Sequence, residues 1–142
     1  MTDQNGHSTT YVHNNNLQIT YTKDALGHIS SHSFDALNYN VTQQQDALGD
    51  MSTFTFDVNN NLTTSNDGSG ATTSFTYPPS GATNQFYPLT QTDPQGNLTN
   101  YAYDSNGNLL SATDNTSNSG LTYTHTSNGQ IATQKDANGN TT

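Results

Sequence analysis

Polar and aromatic residues alternate in three short stretches of the chain. Thr53 to Phe56 reads TFTF, Ser74 to Tyr77 reads SFTY, and Asn100 to Tyr103 reads NYAY. A period of two sends successive side chains to opposite faces, so each stretch predicts a strand with its aromatics on one side. Asp-x-x-Gly and Asn-Gly segments interrupt the strands. Asp and Asn bond their own backbone in turns, and Gly supplies a positive φ. The Asn-Gly pairs at 5–6, 106–107, 128–129 and 138–139 suit tight hairpin turns. Two turn signals fall in each unit, about ten residues apart, which predicts a meander of about twelve short strands.

The pattern repeats. Asp is followed by Gly three residues later at Asp3, Asp24, Asp46, Asp67, Asp93, Asp104 and Asp136, which is 7 of the 11 Asp. Chance at this glycine frequency gives about one, so the spacing reports a repeat. The series Asp3, Asp24, Asp46, Asp67, Asp93, Asp114 and Asp136 has spacings of 21, 22, 21, 26, 21 and 22. Eight and ten residues after each Asp stand Tyr11 and His13, His32 and Phe34, Phe54 and Phe56, Phe75 and Tyr77, then Tyr101 and Tyr103. In the sixth unit the pair slips by one residue, to Tyr123 and His125. An aliphatic residue precedes the next Asp by five positions: Ile19, Val41, Leu62, Leu109 and Ile131. The fourth unit departs, with Leu89 four residues before Asp93 and an insertion near 78–88 (PPSGATNQFYP). Residues 1–142 therefore read as one array of six repeats of 21–22 residues plus the start of a seventh, DANGNTT.

Composition sharpens this picture. Leu, Phe, Ile and Val supply 21 of 142 residues, whereas Thr, Asn, Ser and Gln supply 69. The apolar share is below the roughly 20% under which a chain often stays disordered. Disorder gives no reason for aromatics to hold phase over six units, so the β reading is preferred. Glu and Arg are absent and Ala is sparse, which disfavours helix. At about 4.8 Å per strand the sheet would be about 55 Å wide, and sheets that wide tend to curl. One face carries Tyr, Phe, His and aliphatics and the other Thr, Ser, Asn and Gln. The apolar face is expected to be covered by closure, by a spiral, or by further copies.

The stretch Asp93 to Asp114, DPQGNLTNYAYDSNGNLLSATD, resembles a YD repeat of the Rhs and teneurin type. Its signature is Tyr103-Asp104 followed by x-x-Gly-Asn-Leu, with variants at Phe34-Asp35 and Phe56-Asp57. The resemblance implies an all-β hairpin meander that curls or spirals into a solenoid, tube or shell wall. It also implies a structural, extracellular or cell-surface scaffold. The repeat positions singled out are Tyr103, Asp104, Phe56, Asp57, Phe34, Asp35, Gly27, Gly49, Gly96 and Gly139. Both termini fall within the repeat phase, so the chain is expected to be an excerpt of a longer array or a unit that docks onto its own copies.

Charge and side-chain chemistry narrow the function. Formal charge is −9, and the only strong cations are Lys23 and Lys135. Two cations cannot neutralise several phosphates, which argues against nucleic acid. No apolar run approaches the roughly 18 residues of a membrane helix. Asp57, Asn59 and Asn61, like Asp104, Asn106 and Asn108 or Asp136, Asn138 and Asn140, imitate the opening of a calcium loop. A calcium loop needs Gly at its sixth position and a bidentate Glu at its twelfth. The chain has no Glu, and Gly stands fourth where present, so these side chains read as turn caps. His13, His32 and His125 occupy aromatic slots, while His7 and His28 follow turn glycines. With no Cys or Glu to complete it, a zinc site is not assigned. No catalytic residue, metal site or cofactor is assigned, and an enzyme is not expected. The expected partners are further repeats or further copies, assembled into a filament or tube. The alternatives are a segment of a toxin-encapsulating shell and a carbohydrate-binding or adhesin module with glycans as partners.

Overall fold

The computed structural model describes residues 2, 4, 6–117 and 119–142. Asp3 and Asn5, which belong to the first turn signal, lie outside the described residues. Twelve strands follow one another: β1 (Thr10–His13), β2 (Ile19–Lys23), β3 (Ile29–Phe34), β4 (Val41–Gln45), β5 (Met51–Phe56), β6 (Leu62–Asn66), β7 (Thr72–Thr76), β8 (Thr90–Thr92), β9 (Leu98–Tyr103), β10 (Leu109–Asp114), β11 (Ser119–His125) and β12 (Ile131–Lys135). They are ordered in the sheet as in the sequence. The fold is the all-β antiparallel meander that the alternation predicts, and the described residues contain no helix.

The chain divides into two compact units. The first comprises residues 1–55 and 64–72, the second residues 56–63 and 73–142. In the first unit β1 to β5 pair in succession. In the second unit β7 to β12 do the same.

One register feature recurs in both units. The last aromatic of an odd strand faces the first aliphatic of the next strand: His13 opposite Ile19, Phe34 opposite Val41, Tyr103 opposite Leu109, and His125 opposite Ile131. The register then shifts, leaving Thr20, Thr42, Leu110 and Ala132 as the extra residue of a β-bulge. A bulge sharpens local twist and re-aims the flanking side chains. Here it follows the aromatic-aliphatic pair, the kind of cross-strand contact that contributes roughly 0.2–1 kcal/mol.

Among the described residues no hydrophobic side chain is buried, and Asn61, 8% exposed, is the one buried polar residue. The aromatic face is half-buried. Along β5 the two faces alternate residue by residue, with Ser52, Phe54 and Phe56 partly covered and Met51, Thr53 and Thr55 exposed. On the exposed face threonines pair across strands, Thr55 with Thr64 at 2.6 Å, Thr76 with Thr90 at 2.6 Å, and Thr124 with Thr133 at 2.7 Å. Phe56→Ser is therefore expected to destabilise by about 1–2 kcal/mol, part of the value of burying a whole Phe side chain. Thr55→Ser keeps its hydroxyl and is expected to stay within about 0.5 kcal/mol of wild type. Urea titration of both variants checks the face assignment, and equal midpoints would reject it.

Candidate functional site: the Asp-closed hairpin and its inserted loop

The repeated element begins with the turn. In the Asp104 turn, the Asp104 N–H donates to Asn108 O at 3.0 Å, and Gly107 N–H donates to Asp104 O at 3.1 Å. Gly107 has φ +85°. This is a three-residue loop, a type I turn followed by a left-handed residue. The Asn-Gly pairs at 106–107, 128–129 and 138–139 thus end three-residue loops and are not the central pair of two-residue ones. Eight Asp turns and Asn14 share a further device. The side-chain oxygen Oδ1 accepts the N–H groups two and four residues on, as in Asp104 with Asn106 at 2.8 Å and Asn108 at 2.9 Å. Asp24, Asp35, Asp46, Asp57, Asp67, Asp93, Asp136 and Asn14 repeat it. Where the fifth residue is Asn, its Nδ2 donates to the other carboxylate oxygen: Asn61 to Asp57, Asn97 to Asp93, Asn108 to Asp104, and Asn140 to Asp136.

The signature motif thereby acquires a physical reading. Tyr103 ends β9 and faces Leu109, Asp104 closes the turn, Gly107 takes the left-handed position, and Asn108 completes the carboxylate's bonds. Phe34 and Phe56 end β3 and β5, with Asp35 and Asp57 opening the turns that follow. Gly27, Gly49, Gly96 and Gly139 occupy the left-handed position of their turns, with φ of +93°, +94°, +86° and +88°. Asp35 opens a turn one residue longer, with Tyr39 at φ +60° in the left-handed place and the Asp35 N–H donating to Asn40 O. In the calcium-like triplets, both carboxylate oxygens of Asp57, Asp104 and Asp136 accept N–H donors from within the turn. His28 Nδ1 lies 2.7 Å from Asp24 Oδ2, and the His32 ring lies 6.4 Å from that of Phe34.

These bonds favour the ionised carboxylates. The side chains of Asn97, Asn108 and Asn140, followed by the same residues' backbone N–H groups, hold Asp93, Asp104 and Asp136 below the usual carboxylate range. At Asp57 burial pushes upward, but the donors from Asn61 and Asn59 together outweigh it. A depressed folded-state pKa means stability that is complete above the unfolded carboxyl value of about 3.9 and is lost as pH falls through the lower folded values. The urea midpoint is therefore expected to be flat from about pH 7 to 5 and to fall below about pH 4. Asn108→Ala should raise the Asp104 titration midpoint, read by NMR; an unchanged midpoint would remove the cause assigned here.

The inserted loop is the part of the site that repeat phase does not describe. It runs between β7 and β8, and it bonds to turns on both sides within the second unit. Asn61 Nδ2 donates to Gln85 O at 2.9 Å, and Asn84 Nδ2 donates to Asp104 O at 2.7 Å. The Tyr87 ring lies 5.2 Å from the Tyr103 ring, tilted by 35°. The loop closes back on the sheet where Leu89 N–H donates to Thr76 O and Tyr101 N–H donates to Leu89 O. Asn84, Gln85 and Tyr87 were not singled out from the sequence. The available signal was a second aromatic pair, Phe86-Tyr87, standing outside the repeat phase.

Residues 88–119 and 103–141 match the model of the RHS repeat. Together the two matches span residues 88–141, 54 of the 142 residues. The same turn geometry recurs upstream, at Asp24, Asp46 and Asp57. Solved structures give the same fold. The crystal structure of TcdB2-TccC3-Cdc42 is 15% identical with a TM-score of 0.67, covering 90% of this chain. The structure of the Photorhabdus luminescens Tc holotoxin pore is 15% identical with a TM-score of 0.66, covering 93%. The crystal structure of TcdB2-TccC3 is 16% identical with a TM-score of 0.66, covering 90%. The chain spans 7% of the length of each of those chains. The search of curated protein sequences returned no match.

Proposed function

We propose that this Rhs-type repeat scaffold is a non-enzymatic structural element, a length of β-wall placed outside the cell or at its surface. The observation that carries the reading is the repeated RHS hairpin. Its polar chemistry is consumed in closing turns, and its aromatic-aliphatic pairs stabilise strand against strand. Asp carboxylates that already accept two or three N–H donors are poorly placed to act as general bases.

The wall extends by strand pairing. At β12 the seventh Asp turn is formed, and the returning chain pairs with it through Gln134 N–H to Thr142 O at 2.8 Å and Thr142 N–H to Gln134 O at 2.9 Å. The same edge can receive further strands, either repeats of a longer chain or another copy. Lys135, the last residue of β12, lies on this strand, so the edge carries one cationic guard at its end. Of the assembly types, a shell-like wall is favoured over a free filament by the fold shared with the TcdB2-TccC3 structures. No observation favours glycan binding. Negative-stain microscopy of the chain and of Gln134→Pro, which removes the N–H that holds the returning Thr142 and sets a proline on the β12 edge, tests the reading. Ordered walls, rings or fibres that disappear in the variant support it. Unassembled particles for both proteins at high concentration would overturn the edge-pairing step.

A further inference from the structure

Two rims of hairpin turns in the first unit display leucines to solvent. On one rim the turns at 14–18 and 35–40 carry Leu17, 83% exposed, and Leu37, 85% exposed. Leu17 sits at φ +63°, and Tyr39 of the neighbouring turn at φ +60°, in the left-handed region where most of the other turns have Gly. Gln18 Nε2 donates to Tyr39 O at 3.2 Å, tying the two turns together. A bulky apolar residue here is unfavourable twice, through backbone strain and through hydration of its side chain. Strain of this kind persists only where the surrounding structure holds it, and it clusters at functional positions. On the opposite rim the turns at 24–28 and 46–50 carry Leu26 and Leu48, 82% and 86% exposed.

The two rims match in pitch and differ in charge. Turns on one rim recur at every second strand, so each leucine pair is spaced by about 9.6 Å. The first rim is rich in amides, with Asn14, Asn15, Asn16 and Asn38, and its two turns hold one acid, Asp35. The opposite rim is net acidic, with Asp24, Asp46 and Asp50 in its two turns against Lys23 at the end of β2, and Asp46, Asp50 and Asp67 line one groove there. Contact between two acidic rims would bring like charges together, whereas contact between unlike rims sets an uncharged surface against the acidic one.

We infer that the amide-rich rim of one copy docks on the acidic rim of a second copy, with Leu17 and Leu37 packed against Leu26 and Leu48. The contact is heterologous and propagates from copy to copy. It rests on the scaffold reading for the expectation that copies associate, but it uses turn rims and not the β12 edge.

Sedimentation velocity of the full chain over a concentration series tests it, with circular dichroism as the folding check. Leu17→Gly combined with Leu37→Asn disables one rim, and Leu26→Asn combined with Leu48→Asn disables the other. Each variant alone is expected to associate at least tenfold more weakly than wild type. An equimolar mixture should form dimers and nothing larger, because one intact contact remains. Leu17→Gly by itself should hold or raise the thermal midpoint, because it relieves strain, while it weakens association. A wild-type chain that stays monomeric throughout would overturn the inference, as would rim variants that associate like wild type. If Gln134→Pro abolishes association while the rim variants retain it, rim docking fails and edge pairing stands; the converse result supports rim docking and rejects the edge.

Discussion

Gly107→Ala is expected to destabilise the protein by about 2–4 kcal/mol, whereas Gly96→Ala should cost about 1–2 kcal/mol. Both glycines have nearly the same backbone, φ +85° and +86°, so both substitutions force an L-residue into the left-handed region. The surroundings differ. A Cβ at Gly96 would meet nothing within 4 Å, whereas at Gly107 it would lie 2.9 Å from Tyr87 Oη and 3.0 Å from two ring carbons. The Tyr87 ring must shift to admit it, which disturbs its contact with Tyr103. The excess at Gly107 therefore measures how firmly the inserted loop is seated on the RHS turn. Urea unfolding of both variants at neutral pH supplies the comparison. Equal losses would mean that the Tyr87 ring does not bear on the turn.

The second large effect is expected at Tyr103. Tyr103→Ala removes a half-buried ring, its partner Leu109 across the hairpin, and the Tyr87 contact, a combined loss of about 2–3 kcal/mol. Tyr87→Ala removes the ring contact, the packing against Gly107 and a side chain that is 43% exposed, about 1 kcal/mol. In a double-mutant cycle the two should be coupled by about 0.5–1.5 kcal/mol. Tyr103→Phe keeps the ring and should retain most of that coupling. A coupling near zero would place the loop's stability in the Asn61 and Asn84 bonds and not in the ring pair.

Turn chemistry was legible in the sequence because it is local. In eight turns an Asp reaches the N–H groups two and four residues on, as Asp104 does, and in six of them a left-handed glycine lies three residues on. Those contacts need no distant partner, so their spacing in the sequence is their spacing in the molecule. The substitution of Leu17 and Tyr39 into left-handed positions was not legible in the same way. Neither residue carries the glycine signal, and the turn at Asp35 is one residue longer than its neighbours.

The sequence by itself determined the period of two, the places where strands must stop, and the phase in which aromatics recur. These follow from side-chain alternation and from backbone preferences of single residues. Only the tertiary structure decided the bulge that sets Tyr103 against Leu109 and His125 against Ile131, because register is a property of two strands and not of one. It also decided where the insertion goes. Asn61 and Gln85 are 24 residues apart, Asn84 and Asp104 are 20 apart, and no local preference links either pair. Burial was decided there too. A sheet with one apolar face covers that face only where another layer lies on it, so the aromatics that hold phase so regularly in the sequence are left half-exposed.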